Sequence, residues 1–160
     1  MVEFYRSDLD HYYYTWDPDE IYFFDNSPLA KNKRTGHFFF AWANPVGAPP
    51  GILPVCKFFG SPQYFIQSNY YTSSATECQF VLSHWPGVWS LVSPNAFYVM
   101  PSDADGQCAA GTIPVYRFSN NRKDFNQRMT FDLSVKRAML NRAWVPDGGG
   151  PNGTAFCSPI

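Results

Sequence analysis

His11 is the residue of this 160-residue chain best placed to do chemistry, because it follows Asp8 and Asp10 and opens the run Tyr12-Tyr13-Tyr14-Thr15. Side chains alternate along a strand, so His11, Tyr13 and Thr15 share one face and Tyr12 and Tyr14 the other. The pattern fits a sugar or peptide pocket contacted by His11 and Tyr13. It equally fits a histidine bonded to backbone that orients a turn. Trp16, Trp42, Trp85, Trp89 and Trp144 are the other candidates, since a flat ring binds the C–H face of a sugar at low entropic cost. Most of the five must be core. Trp16, beside a helix start, and Trp89, in a turn-rich stretch, are the two expected at the surface as ligand contacts.

Catalysis has less support. Neither G-x-S-x-G nor H-E-x-x-H occurs, and of the carboxylates Asp8, Asp10, Asp17 and Glu20 two are better used at a helix start. No catalytic residue is assigned, and a small hydrolase is the weakest reading. Cys56, Cys78, Cys108 and Cys157 contain no CxxC pair, and His11, His37 and His84 lie far from all of them, so no metal or cofactor is expected. Asp103-Ala104-Asp105-Gly106 lacks the further carboxylates of a calcium loop and reads as a turn.

Aromatic residues make up 19% of the chain and charged residues 16%, which excludes disorder. Fourteen prolines and eleven glycines exclude long helices and favour many short strands and turns. Net charge is −1 with no sustained basic run, so no nucleic-acid partner is expected, and no apolar run is long enough for a membrane span. An even cysteine count with few charged residues suits an oxidising compartment and predicts a secreted, extracellular protein. Met1, running straight into Val2-Glu3-Phe4-Tyr5, reads as an added start on a mature or excised segment.

The elements that must position these residues repeat three times within a single domain, 1–160, as units at about 2–47, 53–100 and 113–157. Thr15, Thr72 and Thr130 are 57 and 58 residues apart, and each is followed two positions on by Asp17, Ser74 or Asp132, all good helix N-caps. Glu20 and Glu77 complete capping-box signatures. Phe40, Phe97 and Phe156 keep a similar period downstream. Each unit therefore predicts strand, strand, short capped helix, strand, with room for a fourth strand before the last. Helices are expected over Asp19 to Asp25, Ala75 to Leu82 and Leu133 to Arg142, the third with a stripe of Val135, Ala138 and Met139. The fold expected is mainly β with three short helices (α+β), its three units closed about a pseudo-threefold axis in a trefoil- or propeller-like way. Pairing within units gives the disulfides Cys56–Cys78 and Cys108–Cys157.

Val2-Glu3-Phe4-Tyr5, Asp10-His11-Tyr12-Tyr13-Tyr14-Thr15, Pro54-Val55-Cys56-Lys57-Phe58-Phe59 and Pro114-Val115-Tyr116-Arg117-Phe118 resemble a known family. It is the three-unit aromatic repeat of unknown function in secreted bacterial and fungal proteins, with units of the type P-V-Y-R-F-Y-N, H-F-Y-T and E-G-I-A-F-Y. The H-F-Y-T histidine is matched by His11, with Asn69 and Gln127 in its place in the other units, and Asp147-Gly148 echoes the E-G. The resemblance implies an accessory, non-catalytic role outside the cell, beside peptidase, glycosidase or lysozyme-like domains. The leading expectation is a lectin-like module for polysaccharide or cell-envelope glycan. The alternative is a structural or protein-interaction module that accompanies a fused or associated secreted hydrolase. Charge is uneven, −3 over residues 1–47, −2 over 48–112 and +4 over 113–160. Arg117, Arg122, Lys123, Arg128, Lys136, Arg137 and Arg142 thus offer the third unit either a basic face for an anionic partner or an ordinary solvated helix face.

Overall fold

One local device stops a strand and starts a helix in each unit. The hydroxyls of Thr15, Thr72 and Thr130 accept the backbone N–H of Asp17, Ser74 and Asp132, each at 3.0 Å. Those three residues then cap α1 (Pro18–Asn26), α2 (Ala75–His84) and α3 (Leu133–Asn141) with their own side-chain oxygens. The second half of the expected capping boxes is not made. Threonine already satisfies the N–H that Glu20 or Glu77 would have bonded, and both glutamates are free for other partners. On α3, Val135 and Met139 are buried but Ala138 is exposed, so its apolar stripe is narrower than expected.

The computed structural model describes residues 1–160 and is mainly β with three short helices. In the first unit β1 (Val2–Arg6) lies between β2 (His11–Thr15) and β3 (Asn32–Phe38). The second opens with β4 (Leu53–Pro54), then sets β5 (Cys56–Gly60) between β6 (Asn69–Thr72) and β7 (Trp89–Ser93), and its β8 (Tyr98–Val99) returns to pair with β4. In the third, β9 (Thr112–Ser119) carries β10 (Gln127–Thr130) on one edge, and β11 (Val145–Pro146) and β12 (Thr154–Pro159) on the other. Every pairing is antiparallel. The strands form four separate sheets, and none closes on itself as a trefoil barrel would.

Register makes positions in the three units comparable. Opposite the threonines stand Val2, Cys56 and Tyr116, and the next position holds Glu3, Lys57 and Arg117. Tyr12, Asn69 and Gln127 share one position, while His11 precedes Tyr12 as Ser68 precedes Asn69 and Asn126 precedes Gln127. His11 is thus one residue away from the position that Asn69 and Gln127 occupy. The period of the last strand also shifts by one. Phe39, Phe97 and Phe156 are the buried set, with ring centres 5.3–6.3 Å apart, whereas Phe40 is 54% exposed. In the unbroken run Phe38-Phe39-Phe40 spacing leaves the alignment open, and one step along a strand changes the face.

These phenylalanines sit in a single main core with Tyr14, Tyr71, Met129 and the valines Val55 and Val115. Contacts across it pass from unit to unit. The Tyr71 hydroxyl donates to the Tyr14 carbonyl at 3.0 Å, and the Tyr14 hydroxyl accepts the Met129 backbone N–H at 2.7 Å. Trp42 bridges Tyr98, Met100 bridges Cys157, and the Ser158 hydroxyl bonds both backbone groups of Phe40. Two disulfides complete the frame. Cys56–Cys78 has a Cα separation of 6.2 Å and Cys108–Cys157 one of 5.7 Å, and no cysteine is free.

Candidate functional site

The units meet through their first and second strands, and at each junction a charged residue of one strand reaches a partner from the neighbouring unit. At the first-to-second junction Lys57 lies 4.7 Å over the Tyr13 ring and donates to the Tyr13 hydroxyl at 2.9 Å. Tyr13 in turn donates to the carboxylate of Glu20, one of the glutamates released from capping. At the second-to-third junction Arg117 lies 5.7 Å over Tyr70 and binds Glu77, the other released glutamate, at 3.1–3.2 Å. Its guanidinium also reaches the carbonyl and carboxylate of Asp147. At the third-to-first junction the signs exchange places: Arg128, from the second-strand position of Tyr13 and Tyr70, makes a bidentate pair with Glu3 at 2.9–3.0 Å. Tyr14 and Thr35 donate to the same carboxylate, which is fully buried.

Two of these junctions open into cavities at matching positions. The first, of about 340 Å³, lies between the first two units and is lined by Arg6, His11, Tyr13, Asn32, Lys57, Phe59, Gln67 and Asn69 among others. Asn32, Gln67 and Asn69 line it, all at least partly exposed, and their side-chain amides make no hydrogen bond to the rest of the chain. Burial lowers the pKa of the Lys57 ammonium and pushes that of the Tyr13 phenol up, so Tyr13 is a neutral donor here. The second cavity, of about 460 Å³, lies between the second and third units against Tyr70, Trp85, Trp89 and Phe125, with Arg122, Lys123 and Asp147 at its edge. Register puts Trp89 where the first cavity has Asn32, and Phe125 where it has Gln67. Position is kept and chemistry is not.

Of the residues singled out from sequence, His11 and Tyr13 come together in the first cavity, Trp89 lies in the second, and Trp16 borders a third near Lys57 and Phe97. The four do not converge on one site. His11 is buried, with Nδ1 3.2 Å from the Gln67 carbonyl and Nε2 3.0 Å from Asp124, so it ties all three units together. Trp16 is 48% exposed although its indole N–H donates to the Ala96 carbonyl. The seven basic residues of the third unit do not make one face. Arg117 and Arg128 are buried in junctions with carboxylate partners, as a buried guanidinium must be, and the exposed Arg122 and Arg142 both pair with Asp10. Asp103 bonds the backbone of Asp105 and Gln107, which makes its loop a turn.

Sequence reasoning missed the junction set, Glu3, Lys57, Arg117 and Arg128, and the amides of the first cavity. A charge recurring on each first strand, Glu3, Lys57 and Arg117, was the available signal. Compared with known proteins, the chain matches no family model, no curated protein and no solved structure.

Proposed function

We propose that the chain is a non-catalytic, secreted binding module that takes a polysaccharide or cell-envelope glycan in the cleft between its first two units. Its scaffold is read as three repeats closed about a pseudo-threefold axis, of the kind found in the secreted aromatic repeat family that the sequence resembles. The common strand order of the units and the contacts that run from each to the next support that scaffold. Two disulfides support an oxidising location, and no helix is long and apolar enough to cross a membrane.

The observation that carries the ligand class is the three uncommitted amides beside the Tyr13 and Phe59 rings. An amide offers a donor and an acceptor side by side, which matches a pair of sugar hydroxyls, and a ring covers a sugar's C–H face. Binding to a glycan array and to insoluble polysaccharides tests it. Retention that free sugar displaces, and that falls about tenfold or more in the Gln67→Ala/Asn69→Ala double variant, is expected from the loss of two good hydrogen bonds. Retention that is absent, or unchanged in the double variant, overturns the glycan reading. The second reading, a protein-interaction module beside a hydrolase, is favoured by Phe38 and Phe40, which are half-exposed and packed edge to face.

A further inference from the structure

We propose that the second cavity is a separate ligand site, for a small aromatic carboxylate rather than a sugar. Its walls are rings. Tyr70, Trp89 and Phe125 have centres 5.7–6.0 Å apart, with Trp89 and Phe125 at 89° to one another. Trp85, 45% exposed, closes the outer side. A flat ring laid against such a wall gains offset and edge-to-face contacts that a hydroxyl-covered sugar does not. A sugar would also need several hydrogen-bonding partners, and here the amide positions of the first cavity are filled by Trp89 and Phe125.

The preference for an anion follows from which charges are already engaged. Arg122 spends its guanidinium on Asp10, Asp124 and the Leu9 carbonyl. The Asp147 carboxylate faces Arg117, with Oδ2 3.3 Å from its Nε, and accepts from Gln127 at 3.0 Å, so part of its charge is met from inside the protein. Lys123, exposed at the edge, has neither an ion-pair partner nor a side-chain hydrogen bond within the chain. An apolar slot with one uncommitted cation at its mouth selects a ring joined by a short linker to a carboxylate.

Titration of the intact protein with 3-phenylpropionate, followed by tryptophan fluorescence and by the indole N–H signals in NMR, tests the site. Its neutral counterpart 3-phenylpropanol is the comparison ligand. A saturable change with a dissociation constant of about millimolar or tighter is expected for the acid, given a ligand of this size. The alcohol should bind about two- to fivefold more weakly, and Lys123→Gln should bring acid and alcohol to the same affinity. Trp89→Leu should weaken both ligands together, while glycan retention by the first cavity stays unchanged. The proposal is overturned if acid and alcohol bind alike to the native protein, if Lys123→Gln keeps the preference, or if neither ligand gives a saturable change up to about 10 mM. Lys123 lies on the surface, so its replacement leaves the fold intact.

Discussion

The third-to-first junction and the first-to-second junction answer one problem with opposite degrees of closure. Both bring a cation of one unit to a partner of its neighbour at equivalent strand positions. In the third-to-first junction Glu3 accepts from Arg128, Tyr14 and Thr35, so every charge is met by protein and water is shut out. In the first-to-second junction Lys57 meets only a phenol and a ring face, and the space beyond is a cavity. The source of the acid explains the difference. Units one and two carry Glu20 and Glu77 at the third helical position, where unit three has Val135, so its junction takes a carboxylate from Glu3 of the first unit instead. A strand-borne carboxylate sits in the core, whereas a helix-borne one sits at the rim. The sealed junction holds the units together. The open ones are left with room for ligands.

The comparison breaks most readily at Arg128. Removing one member of a buried pair leaves its partner's charge uncompensated, so Arg128→Ala should destabilise the protein by about 3–5 kcal/mol. Lys57→Ala, which forfeits a partly open cation–ring contact, should cost only about 1 kcal/mol. Denaturant titration of both variants measures the gap, and equal losses would refute the distinction between sealed and open junctions. The double variant Glu3→Gln/Arg128→Met should recover most of the loss, because neither partner is then left as a buried lone charge.

A second, smaller effect is expected inside the second unit. Its disulfide occupies positions that in the first unit hold Val2 and Ile21, and in the third hold Tyr116 and Lys136, whose ammonium lies 3.6 Å from the centre of the Tyr116 ring. A covalent bridge in one unit and a cation–ring contact in another thus join first strand to helix at one place. Cys56→Val/Cys78→Ile copies the first unit's residues, so packing should persist while the cross-link is lost. On the chain-entropy model, closing a loop of this length contributes about 3 kcal/mol. Unfolding at equilibrium should show a loss of about that size with an intact near-ultraviolet spectrum. A molten spectrum would show instead that the bridge, rather than the packing, shapes the second unit.

What could be read from sequence were the features each unit supplies for itself. The threonine-to-cap step, the helix spans to within two residues and both disulfides depend on neighbours in sequence or on pairing within a unit, so aligning the chain with itself reveals them. The junctions did not show, because there the partners come from different units and the residue types are exchanged: Glu3 with Arg128, Lys57 with Tyr13 and Glu20. Such compensation erases the similarity that self-alignment detects. The same reasoning covers the cavities, since Asn32 and Trp89 share a place in the fold and nothing in composition. For Phe39 the cause was simpler, a run of three phenylalanines whose faces only pairing decides.

The smallest expected effect concerns the two acids around Arg117 in the second-to-third junction. For Glu77, burial raises the pKa, but Arg117 more than offsets this and leaves it below its ordinary value of 4.5. For Asp147, burial wins over Arg117 and leaves it above 3.8. Glu77 therefore contributes stability that is present above pH 4.5 and is lost as pH falls through its depressed value. Asp147 contributes stability that is present below pH 3.8 and is lost as pH rises through its raised value. At neutral pH the first favours the fold and the second opposes it. Glu77→Gln should accordingly lower the thermal midpoint at pH 7, while Asp147→Asn, which keeps an acceptor for Gln127, should leave it unchanged or slightly raised. Acidification toward pH 4 should shrink the cost of Glu77→Gln. If Asp147→Asn proves the more damaging change at pH 7, Arg117 draws its compensation from Asp147, and the helix-borne glutamate is not the acid that serves this junction.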